Sequence, residues 1–460
     1  MILSLSKRKF SYRFVAAAFV ALFCANHNLS AQRANRAAPT PRSNVSDTTF
    51  SNGLSVVVME DHSAPLVAVA VVYDVGSVDE PRELNGITQV AMQALSAGSR
   101  GYQRGEFERV VQKAGGQHDA YSYQDATVLV TRAPKGALHD ILMMESDRME
   151  SPRVTRESVE SAKGAAERLR QTAFEVQTYA PMIKELFAQT YEAHPYGMSP
   201  FGTSATIAQL ALEDVIQWMR SYFHPANAVL AIVGDIDGPA TLDEVALVFA
   251  DIPVSVKPPK DSAPEPSRRA ERRVTVTGLA QVEVVMMGWI GPERNASDAE
   301  AVAGLMAILV GERSSRLFQS LVTGSNLCLF TGGGVGAFSG PGLLYAFAFT
   351  NVGKSTDEVE RVMRDEIRRI AKGGISEAEV IVVKNQMEAE FYRACAGAKD
   401  KAIALAESRL CEGVATVWMR RLERIQRLTR EDIAQAARQY LVENAGAVVR
   451  FSPDTTRKAQ

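Results

Sequence analysis

Residues Leu210–Val233 read LALEDVIQWMRSYFHPANAVLAIV, and residues Leu428–Phe451 read LTREDIAQAARQYLVENAGAVVRF. The two stretches align without a gap. Leu210, Glu213, Asp214, Gln217, Arg220 and Tyr222 recur as Leu428, Glu431, Asp432, Gln435, Arg438 and Tyr440, and Val215 recurs as Ile433. Charged and polar identities at fixed offsets mark a repeated structural unit, which two unrelated amphipathic helices would not share. In each copy a helical pattern closes an apolar face and passes into a terminal strand. The chain is therefore read as α+β, with two homologous domains related as an internal repeat.

Between the copies, from Val254, lies VSVKPPKDSAPEPSRRAE, rich in proline and charge. It reads as an interdomain linker over residues 254–272, separating an N-terminal domain at 48–253 from a C-terminal domain at 273–455. Structure is expected to begin near Phe50. Two strands, Leu54–Met59 and Leu66–Tyr73, flank the turn Glu60–Pro65 and read as a hairpin. Helices are expected at Ile87–Ala97, Gly105–Ala114, Ala137–Met149 and Arg156–Ala173, with a strand from Gln124 to Thr131. After the linker, strands at Gln281–Trp289 and Leu343–Thr350 alternate with helices at Asp298–Gly311, Ser355–Ala371 and Ser376–Ala394. Gly332–Gly336 and Ser339–Gly342 make a glycine-rich segment that reads as a flexible turn between strands. It lacks the Gly-Lys-Ser/Thr of a phosphate loop, so it gives no nucleotide site.

The chain has 460 residues, 46% of them hydrophobic, and a formal net charge of −2. That length allows two to four domains with sizeable cores, and the charge gives no sign of a nucleic-acid partner. Lys7, Arg8, Lys9 and Arg13 precede the apolar run FVAAAFVALFC at Phe14–Cys24. This reads as a signal peptide over residues 1–31, cleaved after Ala31. Its apolar run is 11 residues, too short to span a bilayer, which takes about 20. Cys24 is a poor lipidation site because Leu22 and Phe23 precede it. Residues 32–47 read as a disordered mature N-terminus. The mature protein is expected to be exported, periplasmic and without a transmembrane segment. Cys328, Cys395 and Cys411 remain; they fit no zinc spacing, and Cys395 and Cys411 could pair or stay as small buried residues.

The stretch GITQVAMQALSAGS, Gly86–Ser99, has the frame of an inverted zinc-peptidase motif. In H-x-x-E-H two His one helical turn apart bind Zn²⁺ and the Glu acts as base. With NGLSVVVMEDHSAPLVAVAVVYDVGSVDEPREL before it, and with GGQHDAYSYQDAT, VESAKGAAERLR, HPYG, VGDID and SSRLFQSL after it, the chain resembles the insulinase/pitrilysin family of zinc metallopeptidases (inverzincins). The resemblance covers nearly all of residues 50–453. It implies that each domain is an antiparallel sheet covered by helices, and that two such units enclose a chamber.

The resemblance does not extend to the chemistry. The first His maps to Gln89, the Glu to Met92 and the second His to Gln93. The later ligand Glu maps to Leu169, and the acidic residue supporting it to Ala162. Gln is a weak ligand for Zn²⁺ and Met cannot take a proton from water. A register slip could bring in Glu167 but not replace the other three. Of His62, His118, His139, His194 and His224, no two stand three or four apart; His194, in HPYG, and His224, at a helix stop, read more readily as turn or capping residues than as ligands, and His118 falls where the resemblance puts the substrate-facing strand. An Arg and a Tyr that hold the substrate carbonyl in active members map to Val322 and Leu329. Peptide binding can outlive the metal, because the family adds peptides as a strand to a sheet edge through the main chain. That edge is Gln117, His118, Asp119, Ala120, Tyr121 and Ser122.

The resemblance implies a catalytically degenerate member, like the non-catalytic subunit of two-chain processing-peptidase-like enzymes. Such a chain forms half of the chamber and binds no metal itself; zinc and H-x-x-E-H belong to its partner, and peptides are the substrates. A stand-alone peptide-binding or scaffold protein of the cell envelope is the alternative from another class. A metallopeptidase with an unorthodox site is the third.

Overall fold

The computed structural model describes residues 45–175, 177–260, 264–266 and 270–454. The expected leader, Cys24 and the segment 32–44 lie outside the described residues. The first half contains β1 (Val45–Thr49), β2 (Ser55–Glu60), β3 (Leu66–Tyr73), α1 (Ile87–Leu95), α2 (Glu106–Lys113), β4 (Gln117–Ser122) and β5 (Thr127–Pro134). It continues through α3 (Leu138–Glu150), α4 (Arg156–Phe174), α5 (Ala180–Thr190), α6 (Ser204–Gln209), α7 (Leu212–Tyr222), β6 (Ala228–Gly234) and α8 (Gly238–Phe249). The second half contains β7 (Arg272–Gly278), β8 (Val284–Gly291), α9 (Ala299–Val310), β9 (Cys328–Gly336), β10 (Gly342–Thr350) and α10 (Thr356–Ala371). It ends with α11 (Glu377–Ala394), α12 (Ala398–Glu412), α13 (Arg421–Arg427), α14 (Arg430–Ala436) and β11 (Ala447–Pro453). Among the described residues no helix is long and apolar enough to cross a membrane.

The strand orders are β1-β2-β6-β3-β5-β4 and β7-β11-β8-β10-β9. With β1 set aside, the second order repeats the first. Each sheet is antiparallel except for one pair, β2 with β6 and β7 with β11, which run parallel. The repeated helix starts in the same way in both copies. The Asp214 carboxylate accepts from Ala211 N at 2.8 Å, and the Asp432 carboxylate accepts from Thr429 N at 2.9 Å. Two homologous α+β domains are thus present.

The expected hairpin is not. β6 lies between β2 and β3 and hydrogen-bonds to both. Every residue of β6, AVLAIVG, is buried. A strand apolar on both faces belongs in the middle of a sheet, and the turn at Asp61–Pro65 bridges across it. The ordered chain also starts before Phe50. β1 pairs with β2 from Val45 opposite Met59 to Thr49 opposite Ser55, across a tight turn in which Gly53 has φ +92. The sequence VSDTT carries too little apolar alternation to announce itself as a strand.

Each domain covers the other's sheet. α5, from the first half, packs on β7, β8 and β11, burying Met182, Ile183 and Leu186 against Val284, Met286 and Val449. α12, from the second half, packs on β3, β5 and β6, burying Ala402, Ile403 and Ala406 against Ala68, Ala70 and Ala231. The approach of α5 is close: a Cβ on Gly288 would lie 2.7 Å from Leu186 Cδ1. The two units are one interlocked body, since removing either exposes the other's sheet.

The glycine-rich segment differs from its reading as a flexible turn. Gly332–Gly336 run inside β9, paired with β10 from Phe347 to Leu343. A Cβ on Gly332 would stand 2.6 Å from Phe347 Cζ, and one on Gly333 would stand 2.2 Å from Tyr345 O. The glycines leave room for β10 and its aromatic rings to lie directly against the strand. Only residues 337–341 form the turn.

The cysteines stay separate. Cys328, Cys395 and Cys411 are free. Cys395 ends α11 and Cys411 lies near the far end of α12. A helix rising 1.5 Å per residue puts them about 20 Å apart, while a disulfide needs Cα atoms within about 7 Å.

Candidate functional site

The motif helix α1 is buried at every residue but Gln93, Thr88 and Gln89 included. Its N-terminus is held by Glu80. This carboxylate accepts from Gly86 N at 2.7 Å, Thr88 N at 2.9 Å and Asn85 Nδ2 at 2.8 Å. A negative group at a helix N-terminus meets both the free N–H groups and the dipole. Burial pushes the Glu80 carboxyl up to about 7, against the bonds from Gly86 and Thr88 that favour its charged form.

The motif positions face this core. Gln89 is buried, and its Nε2 donates to Ser122 O at 2.9 Å. Met92 packs in the apolar cluster with Val90, Ala91 and Leu95. Gln93 is half-buried. On α4, Ala162 and Ala166 are buried against the same cluster, while Leu169, at 41% exposure, stands out at the surface. Glu167 is engaged elsewhere: it accepts from Arg170 Nε at 2.8 Å, Ser204 Oγ at 2.9 Å and Gln171 Nε2 at 2.9 Å. The Arg170 bond is the main cause of its carboxyl being lowered to about 2.

These side chains do not fit Zn²⁺. The metal takes imidazole, thiolate or carboxylate. The four mapped positions offer two amides, a thioether and an alkyl group, and one of the amides already donates to a carbonyl. Among the described residues no group of three or more His, Cys, Asp or Glu is placed to hold a metal. Val322 packs on the second core and Leu329 lies on β9, and neither carries a polar group.

β4 forms one edge of the first sheet and pairs only with β5, from Gln117 opposite Arg132 to Ser122 opposite Thr127. Its side chains alternate between two faces. On one face His118 Nδ1 lies 2.9 Å from Thr131 Oγ1, with its ring edge-on to Phe107 at 4.6 Å. Burial, with help from the Arg148 charge, lowers this imidazole to about 3, so it is neutral at ordinary pH. Ser122 is buried on the same face. On the other face Gln117 Oε1 accepts from Arg132 Nη2 at 2.9 Å, Asp119 pairs with Lys399 of α12, and Tyr121 stacks on Tyr123 at 6.3 Å. Ala120 is exposed. The strand is thus fixed on both faces, with its outer edge unpaired by any described strand.

The remaining histidines serve the fold. His194 Nδ1 accepts from Tyr196 N, His224 Nε2 lies 3.0 Å from Ser221 O, and His62 and His139 pair with Asp235 and Glu244.

One polar network escaped the sequence reading. Asp125 is buried between the domains, where it accepts from the Tyr196 hydroxyl and, at 2.9 Å, from Ser339 N. Gly340 N donates to the same Tyr196 oxygen at 3.0 Å. Beside it Glu407 of α12 accepts from Tyr123 and Arg294. Burial, and then the Asp125 charge, push the Tyr196 hydroxyl well above its ordinary value. Its partners lie 71 to 284 residues apart in sequence, so no local pattern announces them. The network docks the β9–β10 turn onto the HPYG loop beside the N-terminal sheet.

Comparison with known proteins agrees with this geometry. Residues 55–204 match the family profile described as "Insulinase (Peptidase family M16)", and residues 209–387 match "Peptidase M16 inactive domain". The chain is similar to an uncharacterized zinc protease of Streptomyces coelicolor, 24% identical over 404 residues, covering 86% of each chain. It is similar over a shorter stretch to a Schizosaccharomyces pombe protein named "Probable mitochondrial-processing peptidase subunit beta". That match is 23% identical over 201 residues and covers 44% of each chain. Among solved structures, a protease from Helicobacter pylori has the same fold, with TM-score 0.84 and 21% identity, covering 89% of this chain and all, 100%, of the other.

Proposed function

The chain belongs to the insulinase (M16) peptidase family, and on that premise we propose that it is the non-catalytic, exported subunit of a two-chain zinc metallopeptidase. The observation that carries this reading is the use made of Gln89. The residue at the first ligand position ties the motif helix to the edge strand through its amide nitrogen, and the oxygen left over is a weak ligand for Zn²⁺. Met92, Ala162 and Leu169 turn the rest of the site over to packing and surface. The two-domain frame around it is intact. A frame kept without its ligands suits a chain that supplies walls and peptide contacts to a zinc-bearing partner carrying H-x-x-E-H. Resemblance to a protein named as a peptidase subunit supports a multi-chain enzyme. The leader pattern supports export to the periplasm.

In this reading the unpaired edge of β4, Gln117–Ser122, receives an extended peptide by strand addition. The same edge supports the second reading, a stand-alone peptide-binding protein of the cell envelope. Affinity purification of the tagged chain from its native cells separates the two. A co-purifying homologue with an intact H-x-x-E-H supports the first, and a lone homo-oligomer overturns it.

A further inference from the structure

A groove of about 470 Å³ lies between the end of α3, the helix α7 and the start of the linker. Its floor is apolar and buried: Met149, Met219, Phe223 and Ile252. Volume and lining fall within the range of ligand sites. Three features, one on the groove wall and two on a single strip of chain, point to what it holds.

The first is Arg220, on the groove wall. Its repeat counterpart is satisfied: Arg438 donates to Ala371 O at 3.0 Å and Gln435 Oε1 at 2.9 Å, and pairs with Glu431 at 2.5 Å. Arg220 has the equivalent Glu213 and Gln217 on its own helix. It nevertheless makes no hydrogen bond or ion pair to any described residue, and it is exposed. The neighbouring Glu150 is already paired with Arg100 at 2.6 Å. Arg220 therefore leaves a positive charge uncompensated on the groove.

The second is the linker strip at 254–256. Ile252 N donates to Phe249 O at 3.3 Å and Lys257 pairs with Asp74 at 2.8 Å, which pegs the strip at both ends. Between these pegs the backbone of Val254, Ser255 and Val256 makes no hydrogen bond to any described residue. The third is side-chain direction along the same strip. Ser255 Oγ turns inward to His224 Nδ1 at 2.6 Å, while Val254 and Val256 are 73% and 87% exposed. This is the alternation of a strand with no neighbour.

We propose that the strip and groove bind an extended segment of a partner polypeptide in which apolar residues alternate with carboxylates. The segment pairs its main chain with Val254–Val256, lays apolar side chains on the groove floor and sets a carboxylate against Arg220. Backbone pairing supplies affinity, and the guanidinium selects the acidic sequence. This site lies apart from β4 and does not depend on the subunit reading above.

The test uses the full chain and a labelled hexapeptide of alternating valine and glutamate, with valine–glutamine and valine–lysine peptides as counterparts. Fluorescence anisotropy should show the glutamate peptide binding most tightly, with Arg220→Ala weakening it about tenfold. Val256→Pro, which removes an exposed backbone donor, should weaken all three peptides. Amide hydrogen exchange at 254–256 should slow when the glutamate peptide binds. Equal binding of the lysine peptide, indifference to Arg220→Ala, or unchanged exchange at the strip overturns the proposal. So does uptake of decanoate in place of the peptide, which would give the groove to an acyl chain. Self-association of the chain abolished by Arg220→Glu would give it to a second copy, and equally overturns the proposal.

Discussion

Gln89 Nε2 donates to the carbonyl oxygen of Ser122 at 2.9 Å, joining the first turn of the motif helix to the last residue of the edge strand. Both residues are buried. Gln89→Ala leaves the Ser122 carbonyl without this donor, and an unpaired buried acceptor costs about 1–3 kcal/mol. The urea midpoint of the variant should fall accordingly, and amide exchange along β4 should quicken. An unchanged midpoint would mean that the bond has no structural role.

The glycine strand gives a sharper packing test. A Cβ at Gly333 would sit 2.2 Å from the Tyr345 carbonyl oxygen and 2.8 Å from Val310 Cγ2. Gly333→Ala must separate β9 from β10, and overpacking of this kind costs about 1–3 kcal/mol. Gly136 has open space around it, so Gly136→Ala should leave thermal stability unchanged or slightly raised. Equal effects at the two sites would count against the packing account of the glycines.

Unfolding should be cooperative across both halves. α5 covers one face of the second sheet and α12 one face of the first. Calorimetry should show one transition, with the calorimetric and van't Hoff enthalpies in agreement. Tyr196→Phe removes a donor from Asp125 and an acceptor from Gly340 N. It should lower that single transition without splitting it. Two resolved transitions would show that the domains fold apart.

Acid should destabilise the second domain through Glu360. Burial works to raise this carboxyl, and bonds from Arg273, Arg450 and Arg364 overcome it and hold it at about 2. A carboxylate lowered in the folded state stabilises above its unfolded value of about 4.5. That contribution is lost as the pH falls from there toward 2. Urea midpoints of the wild type should drop through this window, and those of Glu360→Gln should drop less. Glu80 behaves oppositely. Raised to about 7 by burial, it contributes stability that is complete below about 4.5 and is lost as the pH rises through 7.

The sequence made the repeat legible because Glu213, Asp214 and Gln217 return at the same offsets in a helix that both halves need. The motif frame was legible for a similar reason: Gly86 must take φ +101 beside Gly202, and the apolar run after it can only be buried. The order of strands was not legible. β6 is far from β2 and β3 in sequence, and only its two apolar faces hint that it lies between them. The exchange of α5 and α12 between domains was also hidden, since a buried helix face does not say which sheet it meets. For the site, the sequence put Gln89, Met92 and Gln93 on one helix. It did not tell that Gln89 reaches Ser122, that His118 turns into the core, or that Asp125 and Tyr196 tie the domains together. Those depend on distances between residues far apart in the chain.

On the subunit reading this chain supplies a scaffold and no metal chemistry. Peptide hydrolysis decides between that and an active site of its own, measured with zinc supplied, for the purified chain alone and for the chain mixed one to one with a co-purified H-x-x-E-H homologue. The account predicts no hydrolysis and no retained zinc for the chain alone, and chelator-sensitive hydrolysis for the pair above that of the homologue by itself. Chelator-sensitive hydrolysis by the chain alone, with zinc retained near one per chain, would contradict it.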